Sequence, residues 1–379
     1  MIKSEINEIK KLYNIRKCSI RRMAGCYVNG EKEKKTLINQ SFLTLPEDDM
    51  HKYLALFKKA LSGSIGKNLL HLDFPLEQEE AGGTQEFLLR LRNSELQDDA
   101  LLEEFYDKII ASYDYVGNYL ILLAYDVYDV PSITNDKMKL DDASEESFAY
   151  LLVCICPVNL TKAGLGYFPE ENLFQNRTRD WIVDMPDTGF LFPAFDDRSS
   201  NIHSTWFYKK DAEDYKPEYI EQLFSCPLPL SAKTQKETFH SIIEETLGES
   251  CDMETVLELH EKLEEIKEAH KEDAEPLVLE KKDIKNLLQD CEVPEETIEQ
   301  FDSHYEEIAG ESTPLLMSNV ANNKSLEIKT PDVIIKVKPE AAGMLKEKII
   351  DGKKYLTIAL SGEVEVNGIT LYHPGNEIL

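Results

Sequence analysis

Residues 119–130 read YLILLAYDVYDV and residues 149–156 read AYLLVCIC. Both runs are short and rich in β-branched or aromatic residues. Gly117 precedes the first and Pro157 follows the second. A strand with one wet face alternates apolar and polar residues, so these near-continuous runs predict strands buried on both faces. Neither approaches the ~18–20 apolar residues of a membrane-spanning helix. The polar stretch 131–147 is expected to be a loop, and Pro157 is expected to stop the second strand.

Downstream, short runs at 164–168, 181–184, 189–195 and 202–209 are separated by Asn172, Pro186-Asp187 and Arg198-Ser199-Ser200-Asn201. These add strands to a mostly antiparallel sheet of five or six. Upstream the pattern is mainly helical. Ile6, Ile9, Lys10 and Tyr13 have helical spacing, and 34–43 is expected to be a helix. Pro46 opens another helix, where Glu47, Asp48 and Asp49 suit the positive end of the helix dipole. Met50, Leu54, Phe57 and Leu61 form its apolar stripe. Thr84, after Gly82-Gly83, caps a long helix reaching Ile110, with Ser94 marking a kink or second start. One early strand, 20–28, closes at the Asn29-Gly30 turn.

From 216 the helical pattern returns, over 255–270, 281–291 and 294–309. Residues 244–311 hold 24 acids and six bases, a net of −18 within a chain of −29. A polar linker, 318–324, leads to β runs at 326–329, 333–338, 346–350, 355–360, 364–366 and 369–371. Asp351-Gly352 and Asn367-Gly368 signal hairpins. The expected fold class is α+β: N-terminal helices packed on a mostly antiparallel central sheet, an acidic helical segment, and a small C-terminal β unit. The expected domains are 1–215, 216–317 and 318–379.

Composition narrows the function. The 379 residues are 42% hydrophobic, enough for a sizeable core. The strong negative charge disfavours generic wrapping of nucleic acid, which runs on Lys and Arg. The N-terminal stretch has no signal-peptide pattern, and seven thinly spread cysteines do not form a disulfide framework. Together these point to reduced thiols, a cytoplasmic setting and no membrane.

Asp196, Asp197, Arg198 and His203 bracket one turn and are the densest set of catalytic-type residues. Histidine beside carboxylates can act as a general base or hold a metal. The plain structural reading is that the Asp and Arg residues cap a hairpin and pair with each other. Asp187, about 30 Å away along a straight strand, should not share their site. Arg16, Lys17, Arg21 and Arg22 form the basic cluster and are candidate nucleic-acid contacts; on a strand, Arg21 and Arg22 face opposite ways. Gly63-Ser64-Ile65-Gly66-Lys67-Asn68 lacks the spacing and the Ser or Thr of a phosphate loop. No H-x-x-x-H pair, G-x-S-x-G elbow or G-x-G-x-x-G loop occurs, so no metal or cofactor is expected.

Several longer runs carry a resemblance: Ala24-Gly25-Cys26-Tyr27-Val28-Asn29-Gly30-Glu31-Lys32, Leu61-Ser62-Gly63-Ser64-Ile65-Gly66-Lys67-Asn68, Gly82-Gly83-Thr84-Gln85-Glu86-Phe87-Leu88, Cys156-Pro157-Val158-Asn159-Leu160 and Phe190-Leu191-Phe192-Pro193-Ala194-Phe195. Over nearly the whole chain the sequence resembles domain-of-unknown-function family 4317 of low-GC Gram-positive bacteria. That resemblance implies no activity, because the family is uncharacterised. The layout of 325–372 also resembles the end of the nucleoid-associated protein family, with no signature residue carried over.

Three functional classes follow. A non-catalytic interaction or regulatory protein rests on the missing catalytic motifs and on 244–311 as a dock for a basic protein partner. A nucleoid-associated-like nucleic-acid-binding protein rests on the basic N-terminus. A hydrolase rests on the turn from Asp196 to His203.

Overall fold

The structure is a computed structural model. It describes residues 3–133, 139–213, 215–226, 228–271, 273, 275–310, 313–321, 325–359, 364–366 and 368–371. The chain divides into two compact units: Met1–Lys236 with Asp273–Pro276, and Glu237–Glu272 with Leu277–Leu379. The fold class is mixed α+β, as the sequence predicts.

The first unit is built on the strands β1 (Arg22–Val28), β2 (Lys34–Ser41), β3 (Leu69–Asp73), β4 (Asn118–Ile133) and β5 (Lys139–Leu160). It continues with β6 (Gly164–Phe168), β7 (Leu173–Arg177), β8 (Trp181–Val183), β9 (Thr188–Phe192), β10 (Ala194–Asp196), β11 (Ser199–Asn201) and β12 (Ser204–Lys209). An eight-stranded sheet runs β2-β1-β4-β5-β9-β12-β3, with β8 pairing the far end of β5. Every pairing in it is antiparallel.

The two apolar runs are the centre of this sheet, with Tyr125 paired to Leu151 and Leu120 to Cys156. Both faces are covered. Ile121, Leu123, Val153 and Ile155 pack under α3 (Thr84–Asn93), α4 (Asp99–Ser112) and α5 (Pro217–Phe224). Leu122, Ala124, Leu152, Cys154 and Cys156 pack under α1 (Lys3–Lys10) and α2 (Glu47–Ala60). Alternate residues therefore enter two separate cores, and both must be apolar. All seven cysteines are free, and Cys154 and Cys156 share a face as their spacing requires.

Several expectations are corrected. Of the expected helix 34–43, Lys34–Ser41 form strand β2 and only Phe42–Thr44 take a short 3-10 turn. The Asn29-Gly30 turn folds the chain back so that Leu37 pairs Cys26, and β1 supplies the hydrogen bonds a helix would have made internally. The polar stretch after β4 is not simply a loop: β4 and β5 extend through Ile133 and from Lys139, and 134–138 lie outside the described residues. Pro157 does not end β5, because it falls between the partners β9 and β8, where a missing ladder donor costs least. The helical stretch from Thr84 to Ile110 does divide at Ser94, where a second start was expected, into Thr84–Asn93 and Asp99–Ser112. Glu95 and Leu96 take left-handed backbone, and Asp98 starts α4 by accepting from the Ala100 and Leu101 amides. The run 189–195 divides at Pro193 into β9 and β10, and β10 pairs β11 instead of joining the large sheet.

The second unit holds most of α6 (Ala232–Leu247), then α7 (Met253–Ala269), α8 (Lys281–Asp290), α9 (Glu295–Ile298), α10 (Phe301–Ala309) and α11 (Met317–Val320). Leu259, Leu263, Ile284, Leu287, Leu288, Phe301 and Val320 are buried. The polar linker expected at 318–324 is instead helical through Val320, and 322–324 lie outside the described residues. Beyond it come three separate two-stranded hairpins: Leu326–Lys329 with Ile334–Val337, Leu345–Ile350 with Lys353–Ile358, and Val364–Val366 with Ile369–Leu371. Asn367, expected in the last turn, lies outside the described residues. Among the described residues no helix is long and apolar enough to cross a membrane.

Candidate functional site

The turn from Asp196 to His203 is a tight hairpin. Asp196 pairs Ser199, and Asp197 and Arg198 between them have φ of 51° and 58°. Two left-handed central residues give the turn twist that antiparallel strands prefer. Its side chains disperse rather than converge. Asp196 Oδ2 lies 3.1 Å from His71 Nε2 and accepts from Asn201 Nδ2 at 2.8 Å. Arg198 pairs with Glu8 on α1 at 3.1 Å and donates to the Pro131 carbonyl at 2.8 Å. His203 Nδ1 lies 2.6 Å from Glu79 Oε1. The expected Asp–Arg pairing within the turn is thus replaced by long-range partners.

Sequence reasoning missed His71, Asp73 and Ser204. Strand β3 brings His71 against Trp206 and places its Nδ1 3.3 Å from Asp73 Oδ1. Ser204 Oγ donates to that Asp73 oxygen at 2.6 Å and accepts from Asn201 at 3.0 Å. His71 therefore stands between two carboxylates, while the nearby hydroxyl is directed to Asp73. The one available signal was the i, i+2 spacing of His71 and Asp73 in an otherwise apolar strand.

The basic cluster does not make one stripe. Arg16, Lys17 and Arg21 are exposed, whereas Arg22 is partly buried and donates to Asn39 at 2.9 Å. Arg21 lies next to Met23 of one core and Arg22 next to Ala24 of the other by alternation, so the two arginines serve opposite faces.

A concavity lies in the second unit, along α7. It encloses about 820 Å³. Glu254, Glu258, Glu261, Glu265 and Glu268 line it at 4-3-4-3 spacing, which makes one acidic stripe along the helix. Leu257, Leu263, Leu326 and Leu345 supply an apolar floor, with Leu263 and Leu345 buried. Local lysines offset part of the charge: Lys262 reaches Glu265 at 3.3 Å and Lys271 reaches Glu268 at 2.6 Å. Asp252 caps the helix by accepting from the Thr255 amide at 2.9 Å. Among the described residues no group of three or more His, Cys, Asp or Glu side chains could hold a metal ion.

The family model described as Domain of unknown function (DUF4317) matches residues 1–369. The chain belongs to this family. No curated protein matches the chain, and no solved structure does. The DUF4317 match spans both units and includes the α7 groove, the Asp196 hairpin and the basic N-terminal segment. The DUF4317 description carries no activity.

Proposed function

We propose that this protein is a non-catalytic interaction or regulatory protein whose α7 groove docks a basic amphipathic segment of a partner protein. The observation that carries this is the pairing of the 4-3-4-3 glutamate stripe with a leucine floor in one groove. A helix with Lys or Arg on one side and aliphatic residues on the other satisfies both surfaces at once. Desolvated apolar contact holds such a partner, and the acidic field selects its sign and speeds its approach. The hydrolase reading has less support, because Ser204 donates to Asp73 rather than to His71. The nucleic-acid reading has less support as well, because Arg21 and Arg22 serve opposite faces.

The test uses the full chain and two labelled helical peptides of about 18 residues, one Leu/Lys and one Leu/Glu, followed by fluorescence anisotropy. Binding of the Leu/Lys peptide should weaken about tenfold or more from 0.05 M to 0.5 M salt. The triple variant Glu254→Gln, Glu258→Gln, Glu261→Gln should weaken it comparably. Equal binding of the two peptides, or indifference to the triple variant, would sink this reading.

A further inference from the structure

The hairpin that pairs Leu345–Ile350 with Lys353–Ile358 has two unlike faces. Directly opposite residues of an antiparallel pair share a face, and successive residues along each strand change face. Leu345, Glu347 and Ile349 therefore share one face with Ile358, Leu356 and Lys354. Leu345 is buried there and lines the α7 groove, and Glu347 pairs with Lys354 at 3.1 Å. Lys346, Lys348 and Ile350 share the other face with Thr357, Tyr355 and Lys353.

This second face carries charge of one sign. Lys346, Lys348 and Lys353 are all exposed. The acids of the hairpin are Glu347, on the opposite face, and Asp351, in the turn. Among the described residues no carboxylate is paired with any of these three lysines. Such a face stands out in a unit whose residues 244–311 carry −18.

Lysines alone can do no more than blunt two free strand edges. Their arrangement around Tyr355 does more. The face has three levels: Lys346 opposite Thr357, Lys348 opposite Tyr355, and Ile350 opposite Lys353. Successive levels are ~6.6 Å apart, at ~3.3 Å per residue. Each level holds one ammonium group, and the middle one also holds a ring that is 45% exposed. A row of cations beside an exposed ring is the chemistry that holds single-stranded nucleic acid: phosphates follow the cations and a base stacks on the ring. An acidic peptide would leave the ring unused. A duplex keeps its bases stacked away from it. A membrane surface would need more apolar area than Ile350 supplies. The acidic segment opposes a polyanion at long range, but a screening length of ~8–10 Å confines that opposition.

We infer that the Lys346, Lys348, Lys353 and Tyr355 face of this hairpin binds single-stranded nucleic acid, with phosphates on the lysines and a base on Tyr355. The basic residues of the N-terminal segment take no part. The face lies on the other side of the hairpin from the α7 groove and does not rest on the reading of that groove.

The test is fluorescence anisotropy of the full chain with a labelled oligothymidylate of about 20 nucleotides, a duplex of the same length and an oligoglutamate of similar charge. At about 0.05 M salt the single strand should bind with a Kd below about 100 μM. Neutralising three phosphates gives a slope of log K against log salt of about −2, so about 0.15 M salt should weaken binding about tenfold. The triple variant Lys346→Gln, Lys348→Gln, Lys353→Gln should weaken it about tenfold or more and flatten that slope. These changes touch only exposed side chains, so they report on binding rather than folding. Lys353→Gln alone should cost about threefold, whereas Lys354→Gln, next in sequence but on the other face, should change affinity by less than about twofold. Tyr355→Leu should cost about tenfold, while Tyr355→Phe keeps the ring and should stay within about twofold. Failure of the single strand to bind at about 100 μM protein overturns the proposal. So do equal losses from Lys353→Gln and Lys354→Gln, or from Tyr355→Leu and Tyr355→Phe. Tighter binding of the duplex or of the oligoglutamate than of the single strand also overturns it, and would assign the lysines to a duplex backbone or to an acidic protein.

Discussion

The Nζ of Lys209 lies 2.5 Å from Oδ2 of Asp187, and the lysine side chain is only 4% exposed. Tyr113 Oη donates to the same oxygen at 2.9 Å. Lys209 depends on this carboxylate, whereas Asp187 is 22% exposed and keeps the tyrosine. The two halves of the pair should therefore respond unequally. Asp187→Ala strands a buried charge and should cost about 3–5 kcal/mol. Lys209→Met keeps the aliphatic packing and should cost about 1 kcal/mol. Urea unfolding midpoints check the order; equal losses would contradict it.

Asp126 is 1% exposed between β4 and the N-terminal segment. Its carboxylate accepts from Ser19 at 3.0 Å, Tyr150 at 3.1 Å and the Val127 amide at 2.8 Å. Burial pushes its pKa above the usual carboxylate value despite these bonds. A raised folded pKa means that stability is fully present below the unfolded value, near ~3.9, and is lost as pH rises through the folded value. Asp126→Asn removes that titration. Relative to wild type, the variant should gain stability as pH rises from 4 until the folded pKa is passed. Unfolding at a series of pH values tests this, and a gain for wild type over that interval would refute it.

Asp196 should behave with the opposite sign. Burial would raise its pKa, but hydrogen bonds from neighbours, His71 and Asn201 among them, outweigh it and hold the carboxyl well below the usual range. Such a group stabilises the fold above its unfolded pKa, and the gain fades as pH falls through the depressed folded value. Asp196→Asn should cost about 2 kcal/mol at neutral pH, with the deficit unchanged down to about pH 5. A deficit that vanishes already between pH 7 and 5 would contradict the assignment.

Gly189 in β9 has no room for a methyl group: a Cβ there would fall 2.3 Å from the Val153 carbonyl oxygen and 3.2 Å from Ala60 Cβ of α2. Backbone cannot yield as a side chain can. Gly189→Ala should cost about 3 kcal/mol, while Gly164→Ala, which meets nothing within 4 Å, should stay within about 0.5 kcal/mol. Thermal unfolding of the two variants side by side is the measurement.

What the sequence determined by itself was whatever neighbouring residues dictate. Two unbroken apolar runs made strands buried on both faces, because alternate side chains in a strand must enter different cores. The i, i+3, i+4 spacing of Met50, Leu54 and Phe57 made α2, and Asn29-Gly30 made a hairpin turn. Six C-terminal β runs paired as three hairpins because their turns are local. Tertiary structure decided what distant residues do to each other. Residues 34–41 have a pattern that serves a helix or an edge strand, and only pairing with β1 chose between them. His71 met Asp196 across 125 positions, and Arg198 met Glu8 across 190. No local spacing encodes such contacts, because strand order sets them and strand order is settled by which faces bury together. The acidity of 244–311 was plain in composition, but the leucine floor that turns it into a groove comes partly from Leu326 and Leu345, which reach α7 only through folding.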